Sequence, residues 1–340
     1  MLDVSSQLRQ QIIASYRQGR AKPIQIPQGS ADLFSEKLQA LMARRLLLPD
    51  QLLLRRYTNA CNQGLMAARH RQLITAEQLF TEARIPLQMD TLSHEAKLLH
   101  QSFMEQSEAY LDYCHDDFDK VYSRIEKALA LDVILEAEYG YDILLMHRIQ
   151  LLHNLVRTEA RRLNFEGAIA LASEILGYLN GQLETLPTPH PWGFERMGLQ
   201  PSKLVTAMFA QITSEVALIL TAKNHKHTRQ LLKVATNHLQ LQANPNNSCH
   251  PQCDSWFSVK QAFVDQDIIT FLERASDFLA EGLADTPLLW YTTIIDLLAL
   301  SNTLGWLDLS QEITTNALHW KNLPHQLASL VFISPSAKTA

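Results

Sequence analysis

Apolar residues along this chain return every three or four positions over long stretches, the period of a helix with one buried face, and strand-like alternation is scarce. The first twenty residues have this spacing, and a proline-containing linker, Lys22-Pro23-Ile24-Gln25-Ile26-Pro27, follows. A second helix is predicted from Ser30 to near Leu48. From Asp50, a residue type that caps helix N-termini, the pattern predicts paired helices: 50–71 with 73–85, 92–114 with 116–131, and 136–163 with 165–180. A less regular half follows, with 201–223 paired to 227–243 and then 258–282, 285–304 and 307–322. The expected organisation is N-terminal helices over 1–49, a repeat array over 50–180, a loop over 181–200, a helical region over 201–325 and a tail over 326–340.

Two interruptions are long for a helical protein. Residues 181–200 hold Pro187, Pro189, Pro191, Gly193 and Gly198, with Trp192 and Phe194 among them, and the aromatic pair predicts a connection that folds back onto the helices. Residues 244–254 run Asn-Pro-Asn-Asn-Ser-Cys-His-Pro-Gln-Cys-Asp.

Three segments superimpose: Gln72 to Ala83, Asp117 to Ala128 and Asn164 to Ile175. Each opens a second helix with a polar turn. Each then places a small or β-branched residue, Ala76, Val121 or Ala168, where two helices must approach closely, with Ala83, Ala128 and Ile175 further along the same face. This pattern resembles the tetratricopeptide repeat family, most clearly from Asn164 to Ile175. The resemblance covers about residues 50–180. Its anchors are spaced more widely than that family's unit of roughly 34 residues. The small residue of the first helix is matched by Gly64 and Ala109, whereas Val156 stands there in the third pair. The resemblance implies an all-α, solenoid-like array of antiparallel helix pairs with a concave groove.

Composition agrees with helix: 46% of the 340 residues are hydrophobic, 19% are charged, and there are 11 glycines, fewer than turn-rich β folds need. A net charge of −5 gives the whole molecule no long-range attraction for nucleic acid or anionic lipid. No apolar run approaches the roughly 20 residues that span a bilayer, and Met1 to Arg9 lacks the basic leader and apolar core of an export signal. Four cysteines make no disulfide framework in a chain of this length. The expected setting is the cytoplasm.

Catalytic motifs fail on spacing. His94 and His100 flank a string that resembles a zinc-protease helix, but at i and i+6 they point about 240° apart and cannot share a metal. Asp116, Asp117 and Asp119 sit where a helix should begin and suit capping. Cys249, His250 and Cys253, with His238 as a conceivable fourth ligand, are weak metal or thiol-switch candidates in an exposed loop, because no second ligand pair exists at matching spacing. Cys61 and Cys114 fall inside helices as small apolar residues. The basic turn Lys223 to Arg229, with Lys233, suits a solvated helix end. No cofactor is expected.

The remaining candidate is a stripe. Leu145, Ile149, Leu152, Val156 and Leu163 form a buried seam on the predicted helix 143–163, while Gln150, His153, Asn154, Arg157 and Arg161 form a polar face. The family resemblance implies that this face lines the groove, and the same mapping adds Asn62 and Arg69 from the first pair and Gln106, Tyr110 and Tyr113 from the second. Guanidinium, amide and phenol groups together suit an extended peptide with an acidic or C-terminal carboxylate group. The expected function is therefore a non-catalytic protein- or peptide-binding scaffold, with nucleic acid and membrane not expected as partners. A ligand-responsive repeat regulator and an enzyme on a helical scaffold without a known motif are the alternatives.

Overall fold

The computed structural model describes residues 6–22, 30–88, 92–188, 190–221, 225–239, 249–283, 286–320 and 323–331. Among these there is no strand. There are fifteen α-helices: α1 (Ser6–Ala21), α2 (Ser30–Arg45), α3 (Leu48–Arg69), α4 (Leu73–Gln88), α5 (His94–Cys114), α6 (Phe118–Tyr139), α7 (Leu144–Arg161), α8 (Phe165–Leu179), α9 (Ser202–Thr221), α10 (His225–Ala235), α11 (Pro251–Asp265), α12 (Ile268–Ala280), α13 (Pro287–Leu304), α14 (Leu307–Ala317) and α15 (His325–Val331). A 3₁₀ turn covers Phe194–Leu199. The chain forms two compact units, Gly29–Val205 and Met1–Gln28 joined with Thr206–Ala340.

One turn geometry joins five helix pairs. Arg71, Asp116, Leu163, Gln266 and Gly305 each adopt the left-handed conformation, with φ of 61°, 59°, 66°, 61° and 74°. In each case the next residue's N–H turns back to a carbonyl in the preceding helix: Gln72 to Ala67, Asp117 to Asp112, Asn164 to Glu159, Asp267 to Ala262 and Trp306 to Ser301, at 2.8 to 3.0 Å. These bonds satisfy carbonyls that a helix end leaves open. The side chains of Asp117, Asn164 and Asp267 then accept from the backbone N–H of Lys120, Gly167 and Thr270, which starts the second helix. Ala76, Val121, Ala168, Phe271 and Ser310 follow at one register, and Ala83, Ala128, Ile175, Phe278 and Ala317 at a second, all buried.

The turn pattern thus recurs in the C-terminal unit, in α11–α12 and α13–α14, beyond the span of about 50–180 that the sequence resemblance covers. The stretch read as one helix over 258–282 is two helices, broken at Gln266 where the chain takes positive φ and Asp267 caps the second helix. Helix α6 runs on to Tyr139, beyond the expected end near 131, and stops at Gly140 with φ 69°. Helix α10 ends at Ala235 rather than near 243, and residues 240–248 lie outside the described ones, as does most of the tail. Leu163, expected in the buried seam of α7, is 72% exposed because it occupies the left-handed turn.

Close packing explains two glycines. A Cβ on Gly64 would stand 2.8 Å from the Phe80 ring where α3 crosses α4. A Cβ on Gly19 would fall 1.8 Å from the Leu279 carbonyl oxygen, so only glycine lets α1 lie on α12. Helix α1 is further held by stacking of Tyr16 on Trp290 at 6.0 Å and by Arg17, which donates to Glu312 at 2.7 Å. The N-terminal helix therefore belongs to the C-terminal unit.

By length and composition alone α9 is long and apolar enough to cross a membrane, with a mean hydropathy of 1.6 over its best window, half of which is buried inside the protein. By this measure α9 departs from the expectation that no apolar run approaches the length of a membrane span.

Candidate functional site

A cleft opens in the Gly29–Val205 unit, where α5 and α7 face each other across α6. Its floor is apolar, made by Ala109 of α5 and by Val121 and Ile125 of α6. Its walls carry Gln106, Tyr110 and Tyr113 from α5 and Asn154, Arg157 and Thr158 from α7. Counting the solvent at its open mouth it holds about 310 Å³ of empty space, of which only about 30 Å³ admits the centre of a water molecule, so it is a shallow, open cleft and not an enclosed ligand cavity.

Both walls are fixed from behind. Gln106, Tyr110 and Tyr113 lie on one face of α5, and the neighbouring face bears Glu105, Glu108 and Asp112, three carboxylates gathered by cations. Arg124 of α6 donates to Asp112 at 2.6 Å and to Glu105 at 2.9 Å, and also pairs with Glu108. Arg84 of α4 reaches Glu108 at 2.5 Å, and Lys127 pairs with Glu105. A partly buried network of this density holds α5 in one rotation about its axis.

At the N-terminal half of α7, His147 Nδ1 lies 2.7 Å from Asp132 of α6, which also accepts from Ser102 at 2.6 Å. Arg148 meets Glu136 at 3.1 Å and donates to the Pro191 carbonyl at 2.8 Å, with its guanidinium 4.1 Å over the Trp192 ring. Tyr178 donates to the Trp192 carbonyl at 3.2 Å. The loop over 181–200 thus folds back onto its own unit, as Trp192 and Phe194 led us to expect. Burial, followed by the opposing pull of Arg148 and the added push of Asp132, raises the Glu136 carboxyl to about 7. The trio Ser102, Asp132 and His147 has the residue types of a nucleophilic triad in the wrong order. The serine donates to the aspartate rather than to the imidazole, and all three are buried, so the arrangement is structural.

Of the ten residues expected to line a groove, Gln106, Tyr110, Tyr113, Asn154 and Arg157 converge on this cleft. Tyr110 and Tyr113 stack at 5.9 Å. Burial raises the Tyr110 phenol, against the lowering fields of Arg157 and Arg69, so it stays a neutral hydrogen-bond donor at physiological pH.

The other five depart from the expectation. His153 is buried, and burial followed by the Arg157 charge pushes it down to about 3, so it is a neutral imidazole inside the helix packing. Gln150 is turned toward its own helix, with its amide 3.2 Å from His153 Nδ1 and donating to Asn154 Oδ1 at 3.3 Å. Arg161 packs at the edge, stacked 4.5 Å over Tyr113 and donating to Asp116 at 2.7 Å, where it ties α7 to the α5–α6 turn. Asn62 and Arg69 lie on the exposed face of α3 and do not line the cleft. A period of 3.6 places a residue on a helix face, but the width of the buried stripe depends on how many neighbours that helix has.

The C-terminal unit fills the corresponding place. Lys260 of α11 stands at the same register before its turn as Tyr110 and Arg157, and Asp296 of α13 at that of Asn154. Lys260 Nζ donates to both Asp296 oxygens at 2.9 and 2.8 Å, with both side chains buried. The register that opens as a cleft between α5 and α7 is closed here by an ion pair of the protein's own. Sequence reasoning missed this pair because the turn at Gln266, which sets the register, was read as helix interior.

Cys249, His250 and Cys253 do not form the exposed loop expected. Pro251 opens α11, Cys253 is buried with its thiol pushed up to about 12, and His250 stacks on Phe209 at 3.9 Å, its imidazole lowered by burial to about 4. Cys249 remains exposed. Among the described residues no group of three or more ligating side chains could hold a metal ion. No family model, curated protein or solved structure matches this chain.

Proposed function

We propose that this protein is a non-catalytic binding module, built as a tetratricopeptide-like array of helix pairs, that holds a carboxylate-bearing polypeptide segment in the α5–α7 cleft. The convergence of Gln106, Tyr110, Tyr113, Asn154 and Arg157 around one open, apolar-floored space carries this reading. Amides suit the main chain of an extended ligand, the tyrosine pair offers flat surface, and Arg157 supplies charge for an acid group. The recurrence of one turn in five helix pairs supports the repeat architecture. The ion pair of Lys260 and Asp296, which fills the matching register of the C-terminal unit, supports the front unit as the binding site.

The experiment is selection of displayed peptides with free C-termini against the purified protein, followed by affinity measurement on the selected peptides and their amidated counterparts. Arg157 is exposed, so Arg157→Ala should cost stability no more than about 0.5 kcal/mol. A charge-assisted hydrogen bond is worth roughly 1.5–3 kcal/mol, so the variant should bind the selected peptides about ten- to a hundredfold more weakly. Unchanged affinity in a folded Arg157→Ala protein, or equal binding of amidated peptides that carry no acidic side chain, would refute the assignment.

A further inference from the structure

Helix α3 has two opposite faces. Leu54, Tyr57, Ala60, Cys61, Gly64, Ala67 and Ala68 are buried, and the Gly64 backbone meets Phe80 of α4. On the other side Leu48, Leu52, Arg55, Asn59, Asn62, Met66 and Arg69 follow one another three or four residues apart, and all are exposed. Three of them are large apolar side chains: Leu48 is 66% exposed, Leu52 60% and Met66 48%. Leu47, at the head of the helix, is 74% exposed and continues the apolar end. At 1.5 Å per residue the stripe from Leu48 to Arg69 runs for about 32 Å. Leu47, Leu48 and Leu52 form an exposed apolar cluster at the head of the helix, and Met66 a separate apolar position near its end.

The charges on this helix have one sign. Its only carboxylate, Asp50, is buried and accepts from the Ser93 backbone N–H at 3.2 Å, whereas Arg55, Arg56 and Arg69 are exposed. Met66 and Arg69 meet, with a guanidinium nitrogen 3.8 Å from the thioether sulfur, so the stripe ends in an apolar residue with a cation beside it. We propose that this face of α3 is a docking surface for an acidic amphipathic helix of a partner protein, its apolar residues lying on Leu48, Leu52 and Met66 and its carboxylates pairing with Arg55 and Arg69.

A polypeptide fits better than a lipid surface because Asn59 and Asn62 interrupt the apolar positions midway. Pressed into hydrocarbon, their amides would lose water with nothing in return, whereas a facing helix offers polar side chains at the same spacing. The surface adjoins the α5–α7 cleft at Arg69, whose charge reaches Tyr110, but none of its residues lines the cleft.

The probe is a fluorescein-labelled amphipathic helix of about twenty residues, with leucines at i, i+3, i+4 and i+7 and flanking glutamates. Two controls accompany it, a scrambled peptide and one with lysine in place of each glutamate. Fluorescence anisotropy with the full chain should show the glutamate helix bound at least tenfold more tightly than either control. Leu48→Ser with Leu52→Ser should weaken it at least tenfold. Arg55→Glu with Arg69→Glu should invert the preference toward the lysine helix. All these side chains are exposed, so circular dichroism should report unaltered helix content in each variant. Equal binding of the scrambled peptide, or no inversion by the charge swap, would overturn the proposal. So would tighter sedimentation of the protein with phosphatidylserine–phosphatidylcholine vesicles than its binding to the probe, which assigns the face to a bilayer. Self-association that Arg55→Glu with Arg69→Glu abolishes would assign it to a second copy of this chain and overturn it equally.

Discussion

Lys260→Met tests whether the C-terminal unit is closed by its own ion pair. The methionine keeps the length and the apolar stem of lysine and removes only the ammonium group. In the native protein that group contacts both oxygens of Asp296, at 2.9 and 2.8 Å, and both partners are buried. Removing one member of such a pair leaves a charge without its counter-ion in the interior and costs about 3–5 kcal/mol. Replacing both members with apolar residues is commonly near neutral, so Lys260→Met with Asp296→Leu should fall within about 1.5 kcal/mol of the wild type. Denaturant unfolding followed by tryptophan fluorescence suits the measurement, since Trp256, Trp290, Trp306 and Trp320 lie in this unit and only Trp192 lies in the other. A loss below about 1 kcal/mol for Lys260→Met, or a double variant worse than the single, would refute the reasoning.

Two further outcomes follow from the titrating groups. The Glu136 carboxyl, raised to about 7 from an ordinary 4.5, holds its proton more tightly folded than unfolded. Stability of the Gly29–Val205 unit should therefore be greatest below about pH 4.5 as far as this group is concerned, fall by up to about 3 kcal/mol as pH rises to about 7, and then level off. Glu136→Gln should flatten that slope in urea unfolding measured between pH 5 and 8, and an unchanged slope would refute the assignment. Among the thiols, Cys249 is exposed while Cys61, Cys114 and Cys253 are buried, with Cys61 pushed up to about 11 and Cys253 to about 12. Ellman's reagent should therefore label one thiol quickly in the native protein and four in denaturant. A chelator should leave the Tm nearly unchanged, and a large drop would mean that a bound metal supports the fold.

The sequence by itself determined how helices pair in the front unit, though not where α6 ends and α7 begins. Helix pairing was legible because its signals are short in range: Asp117 and Asn164 cap the N–H groups three residues ahead, and Ala76, Val121 and Ala168 mark the crossings. The return of the 181–200 loop was legible from Trp192 and Phe194, apolar surface too large to leave in water. The turn at Gln266 could have been read too, since Asp267 repeats the capping position of Asp117 and Asn164, but the surrounding apolar spacing masked it. Only the tertiary structure decided which polar residues are wet. His153 and Arg157 are four residues apart on one helix, yet one is sealed in the packing and the other lines the cleft, because burial depends on neighbours brought in from distant sequence. The same holds for α1, fixed to the far end of the chain through Gly19, Arg17 and Tyr16. It holds as well for Lys260 and Asp296, which are unremarkable in sequence and closed on each other in space. Periodicity states that a face will be covered, and the fold alone states by what.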